Sequence, residues 1–279
     1  MPRIDAHQHF WRYRPQDFPW INSQMAVLQR DFGPQQLQPL LEQHGCDGAI
    51  TVQARHSEQE NAWLVEQVRT LPGLRGVVGW LDVRATSLGD KLAQWSHEPL
   101  LCGVRHQAQD EPDPAAWLDD SAVNAGVEQV QRAGYVWELL VTWRHLEDVT
   151  RFARRHDRHW LVLDHCGKPD ITAGARRWAQ QIAPLAAQSH VMCKLSGLVT
   201  EAPGGQWKAE ELRPFIDAAL EAFGPQRLLF GSDWPVCLPA AEYGQVVALS
   251  ERALSKLSPA EQADIAGNNA ARVYRLTEV

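Results

Sequence analysis

Eight short apolar runs, each followed by a stretch with helical spacing, predict an α/β protein: a single (β/α)8 TIM barrel with an extra C-terminal helix. Several runs, such as residues 77–81 and 161–163, are apolar at consecutive positions, as strands buried on both faces are. No Gly/Ser- or Pro-rich linker and no internal repeat divides the chain, so residues 1–279 form one domain. A doubly wound open sheet is the main competitor. It loses ground because no G-x-G-x-x-G and no Walker lysine loop follows any strand.

The expected strands cover residues 4–9, 48–53, 76–82, 100–106, 135–141, 160–165, 191–196 and 227–232. A long loop rich in aromatics and proline, residues 11–33, follows the first. The helix expected over 57–71 starts at Ser57 with Glu60 three residues on, a capping-box pattern, and stops before Pro72-Gly73. Weaker helical patterns occupy 86–95, 115–133, 144–156, 175–187 and 242–254, while Asp110 to Pro114 form a surface turn. The clearest helix, 209–223, repeats apolar residues at Leu212, Phe215, Ile216, Ala219, Leu220 and Phe223 and ends at Gly224-Pro225. Residues 258–274 look like a final helix packed on the barrel's flank.

Acidic residues (34) outnumber Lys plus Arg (27), a formal charge of −7, which makes nucleic acid a poor partner. There is no polybasic patch for a membrane surface, no apolar run long enough to span one, and no apolar leader at the N-terminus. The five cysteines are scattered and never form C-x-x-C. Reduced thiols in a cytoplasmic protein are the plain reading.

In such a barrel the chemistry gathers at the C-terminal ends of the strands. The first strand delivers His7 and His9, two residues apart and so on one side of it, as a shared metal or polar atom requires. His165 and Asp233 end the sixth and eighth strands; a satisfied core histidine and a turn or cap residue are their bland alternatives. Lys194 stands within an otherwise apolar strand, where it is either a site residue or a lysine snorkelling to the rim. Arg105 and Glu138 serve the site or simply pair with each other. Tryptophan is abundant (12 residues), and Trp20, Trp143 and Trp234 fall near the expected mouth, where they stack on a ligand or pack the core. His156 and His159 belong to a charged helix end expected to face solvent.

Taken together, several segments are familiar in matching order. They are Asp5-Ala6-His7-Gln8-His9-Phe10-Trp11, Gly103-Val104-Arg105-His106, Leu163-Asp164-His165-Cys166-Gly167-Lys168-Pro169, Lys194-Leu195-Ser196-Gly197, Phe230-Gly231-Ser232-Asp233-Trp234-Pro235, and residues 267–274. The chain resembles, over essentially its whole length, the lactonase branch of the amidohydrolase superfamily, with sugar-lactone hydrolases of the L-fuconolactonase and L-rhamnonolactonase kind nearest. That resemblance implies a (β/α)8 barrel with a site built from His7, His9, His165 and Asp233. It implies one divalent ion on those residues, most often zinc, or catalysis without metal. A two-metal centre is not expected, because Arg105 and Glu138 stand where complete centres present Lys or Glu and His.

The expected reaction is hydrolysis of a small sugar lactone. Asp233 would take a proton from water near His7 and His9 and return it to the departing ring oxygen. His165, Lys194 and Arg105 are candidates to stabilise the oxyanion, with His165 and Lys194 counted beside Asp233 as catalytic. Trp20, Arg105, His106, Glu138, Lys168 and Trp234 are candidates to hold the substrate. A metal-dependent decarboxylase of aromatic acids, a pyrone-dicarboxylate-type lactonase and a barrel that binds a sugar acid without turnover are the rival readings.

Overall fold

The computed structural model describes residues 2–276. Eight strands form one parallel sheet in sequence order: β1 (Ile4–Gln8), β2 (Gly48–Val52), β3 (Leu74–Gly79), β4 (Leu101–His106), β5 (Val136–Leu139), β6 (Leu161–Leu163), β7 (Val191–Leu195) and β8 (Leu228–Phe230). The barrel closes just past the strands. Asp233 N donates to the His7 carbonyl at 2.8 Å and His9 N to the Trp234 carbonyl at 2.7 Å. Asp5 fastens the same seam, because its Oδ1 accepts from the backbone N–H of Ser232 at 2.9 Å.

Ile4, Ala6, Ile50, Val52, Val78, Val136, Val162, Met192 and Leu229 fill the lower interior of the barrel. The register of β1 against β2 slips between Asp5 and Gln8. Below that slip Ile4 and Ala6 belong to the interior, and above it His7 takes over the inward direction, which brings His9 to the same side.

The helices are α1 (Pro34–Gln43), α2 (Glu58–Arg69), α3 (Leu88–Trp95), α4 (Pro114–Asp119), α5 (Ser121–Arg132), α6 (Leu146–Arg155), α7 (Ala175–Ala186), α8 (Ala209–Phe223), α9 (Tyr243–Leu254), α10 (Pro259–Ala263) and α11 (Asn269–Val273), with a π turn between the last two. Four sequence expectations need correction. The capping box at Ser57 does not form: its side chain caps nothing, and the Glu60 carboxylate accepts from Ala54 and Arg55 N–H instead. The helix expected over 115–133 is two helices, because the Asp120 carboxylate accepts from Ala122 N at 2.7 Å and starts a new helix there.

The 258–274 segment does not lie on the flank. It turns under the barrel, where Ala270, Val273 and Tyr274 join the interior cluster and plug its N-terminal end. His156 is buried rather than solvated, with Nε2 2.8 Å from Asn124 Oδ1. The 11–33 loop is ordered by its aromatics: Trp11 packs on Phe18, Trp20 and Phe32, and its indole donates to the Arg30 carbonyl.

Candidate active site

A cavity of about 700 Å³ opens at the C-terminal end of the barrel. His9, Arg105, His165 and Asp233 line its floor, and Trp20, Gln24, Gln107, Gln109, Lys168 and Glu201 are among its wall residues. His165 and Asp233 both adopt positive φ, 52° and 58°. For non-glycine residues this costs about 1–3 kcal/mol and persists where surroundings over-determine it. Two glycines make room for the packing. A Cβ on Gly197 would sit 2.6 Å from His165 Cγ, and one on Gly231 would sit 2.7 Å from His7 Cβ.

His7 Nε2 and His9 Nε2 are 3.1 Å apart, and Asp233 Oδ1 lies 3.3 Å from His9 Nε2, 3.7 Å from His7 Nε2 and 3.8 Å from His165 Nε2. His9 Nδ1 contacts the Val52 carbonyl at 2.8 Å and His165 Nδ1 contacts Ser196 Oγ at 2.8 Å. Burial pushes the His165 pKa down to about 4, against the pull of Asp233 and Asp164. Burial also lowers His7 well below its usual value, reinforced by the Lys194 charge. Burial alone would raise the Asp233 pKa, but the imidazoles of His165, His9 and His7 gathered around it hold it below its usual value.

Under this floor lies a dry ionic layer. Lys194 Nζ contacts Glu138 Oε2 at 2.6 Å, His7 Nδ1 at 3.0 Å and Asp164 Oδ1 at 3.3 Å. Arg105 donates to Asp164 Oδ2 at 3.1 Å and to the Gln53 carbonyl. The Tyr274 hydroxyl, from the plug, donates to Glu138 Oε1.

The residues present fit a divalent ion. Asp233 Oδ1 is buried without a hydrogen-bond donor. It faces His9 Nε2, which keeps a lone pair when the neutral ring donates from Nδ1 to Val52. Two lone pairs at that distance call for a proton or a cation between them, and His7, His9 and Asp233 form one compact group of metal-ligating type. A second such group, His7, Asp164 and His165, is already served by the Lys194 and Arg105 cations.

The amidohydrolase family model matches residues 4–276. The chain belongs to that family. Among curated relatives of this amidohydrolase, an L-fucono-1,5-lactonase of Burkholderia multivorans is 50% identical, covering 99% of this chain and 97% of the relative. An L-fucono-1,5-lactonase of Burkholderia ambifaria is 36% identical over 98% of this chain and 96% of its own. A crystal structure of an amidohydrolase from Burkholderia multivorans with bound zinc superposes with a TM-score of 0.96 at 48% identity, covering 99% of this chain and 100% of that one.

The structure brings His7, His9, His165 and Asp233 together, as expected of this amidohydrolase. Trp20, Arg105 and Lys168 reach the cavity. Lys194 and Glu138 do not: both are fully buried and paired with each other, so neither meets a ligand directly. The expected Arg105–Glu138 pair is replaced by Arg105–Asp164 and Lys194–Glu138. Trp234 is 3% exposed and packs edge-on against Phe10 and Phe32, outside the cavity lining. His106 lies stacked between His56 and Trp117, at centroid distances of 4.3 and 4.1 Å, in a separate small cleft. Trp143 is likewise absent from the cavity wall and carries Arg144 and Arg177 against its ring.

Sequence reasoning assigned no role to Asp164, although it immediately precedes His165 at a strand end, which was signal enough. Gln107 and Gln109, just past β4, were accessible by the same rule. Gln24 comes from the long loop and carried no pattern.

Proposed function

We propose that this chain hydrolyses a neutral sugar lactone, of the L-fucono-1,5-lactone type, to its acid. The observation that carries the reading is the near-full-length 50% identity to an L-fucono-1,5-lactonase. The cavity's chemistry agrees. Its wall offers the neutral amides of Gln24, Gln107 and Gln109, suited to hydroxyl groups. Its two cationic side chains are already engaged, Arg105 by Asp164 and Lys168 by Glu201 at 3.8 Å. A dicarboxylate such as a pyrone-dicarboxylate lactone would have to draw both cations away from their carboxylates, and the identity to lactonases disfavours a decarboxylase.

Asp233 is the proton acceptor in this reading: an ionised carboxylate on the floor, with its Oδ1 free to take a proton from water. It then returns that proton to the ring oxygen as the lactone opens. Arg105 stabilises the developing oxyanion, since its fixed positive charge borders the cavity beside His7. His165, neutral and braced by Ser196, orients Asp233 from the other side. Lys194 acts through His7 without touching substrate. Zinc, held by His7, His9 and Asp233, would supply Lewis acidity toward a carbonyl and a lowered pKa for water. Trp20 and Lys168 contact the sugar, and a cytoplasmic site of action accords with five unpaired cysteines.

The test is acid release from L-fucono-, L-galactono- and L-rhamnono-lactone, with untreated and chelator-stripped protein. Rapid acid production from one of them is expected. No acid from any, with zinc or manganese restored, overturns the reading.

A further inference from the structure

The His7 ring stands between two side chains that make opposite demands on it. Lys194 Nζ lies 3.0 Å from His7 Nδ1, and Asp164 Oδ1 lies 3.4 Å from the same nitrogen. An ammonium only donates, so it requires a lone pair at Nδ1 and places the ring proton on Nε2. A carboxylate only accepts and requires the reverse.

The contacts on the far side of the ring decide between them. The Val52 carbonyl, 2.8 Å from His9 Nδ1, can only accept, so a neutral His9 carries its proton there and a lone pair at Nε2. That lone pair faces His7 Nε2 at 3.1 Å, a hydrogen-bond distance that needs a proton on His7 Nε2. One direction of donation satisfies the three shortest links, Lys194 to His7, His7 to His9 and His9 to Val52, and leaves unmade only the longer approaches of Asp164 Oδ1 to Nδ1 at 3.4 Å and of Arg105 Nη1 to Nε2 at 3.5 Å. Glu138 Oε2 takes a second ammonium hydrogen at 2.6 Å, and the Asp164 carboxylate stands beside the charge at 3.3 Å. Tyr274, on the plug under the barrel, fixes Glu138 from behind.

We propose that Lys194, anchored by Glu138 and Tyr274, is a positioning residue that keeps the His7 proton on Nε2 and thereby limits how tightly His7, His9 and Asp233 take a divalent ion. Ligation through His7 Nε2 requires the proton to move to Nδ1, toward Asp164, while Lys194 gives up that acceptor and keeps Glu138. The ring stays neutral throughout. Zinc therefore competes with a charge-assisted hydrogen bond, which at the usual strength of such bonds lowers affinity by roughly ten- to a hundredfold. The inference takes its importance from the reading of this group as the reaction centre, but its test involves no turnover, so a failed lactone assay leaves it standing or falling on its own.

The experiment is zinc titration of metal-free, full-length protein by competition with a chromophoric chelator. Lys194→Met alone would leave the Glu138 carboxylate buried without its cation. The decisive variant is therefore Lys194→Met combined with Glu138→Gln, which removes one charge of each sign. It is expected to bind zinc at least about tenfold tighter than the parent. A residue with only a structural role would loosen the site on removal and weaken zinc binding. Independently of any folding defect in the variant, nitrogen-15 NMR of metal-free parent protein, assigned with His7→Asn, is expected to show His7 protonated at Nε2 and bare at Nδ1. Protonation at Nδ1, or a folded double variant that binds zinc no tighter, overturns the proposal.

Discussion

The layer under the cavity floor and the wall around its mouth hold charge in opposite ways. Below, Lys194, Glu138 and Asp164 have no side-chain exposure, and each meets two or more partners. Above, Lys168 and Glu201 form one loose pair at 3.8 Å, with side chains 23% and 24% exposed. Buried opposite charges with several partners each have few alternative arrangements, because any shift strands an uncompensated charge. A solvent-shared pair at the mouth can be redrawn at little cost. The difference separates two tasks: the lower layer holds the His7 imidazole in place, and the wall adapts to a ligand.

Three substitutions test that division. Asp233→Asn, at the boundary, is expected to reduce kcat by about 10²–10⁴-fold with an unchanged circular dichroism spectrum. Near-parental kcat would remove Asp233 from the chemistry. Glu138→Ala, within the lower layer, should destabilise the fold by about 3–5 kcal/mol in urea, because Lys194 loses its shortest contact while Tyr274 loses its acceptor. If the loss were under about 1 kcal/mol, the lower layer would be no more constrained than the wall. Gln107→Ala, on the wall, should raise KM by up to about tenfold, the value of one neutral hydrogen bond, and leave the melting temperature in place.

The smallest effect concerns pH and lies away from both regions. Burial lowers the His156 pKa from 6.5 to about 4, so between those values the unfolded chain binds the proton that the folded one refuses. Its contribution to stability is complete above about pH 6.5 and is lost as pH falls toward 4. In a comparison of urea midpoints, His156→Gln should be less sensitive to acid than the parent by about 1–2 kcal/mol. Equal slopes would show that this histidine titrates normally.

Much of this was legible in the residues. All eight strands fall within three residues of their expected ranges, because both-face burial writes itself as consecutive apolar positions. His7, His9, His165 and Asp233 were visible because polar groups at strand ends have no packing reason to be there. The partners of Lys194 and Arg105 were not legible, since pairing across a barrel depends on register and on the slip in β1, which no local pattern records. Helix α1 lay outside the expected elements although Pro34 opens it and Leu37 and Leu41 repeat at helical spacing, because Pro39 within it interrupts the helical pattern. The plug was misplaced because an amphipathic helix looks the same whether it covers a barrel's side or its end.

The seam has a consequence for how the fold is reached. The free edge of β1 meets Ser232, Asp233 and Trp234 across some 225 residues of chain, and Tyr274, which steadies Glu138 and through it the lysine below His7, lies further along still. Closing so long a loop is entropically costly and slow. Until it closes, both imidazoles of the first strand lack the carboxylate that faces them, and the unpaired strand edge is what chaperones have to shield.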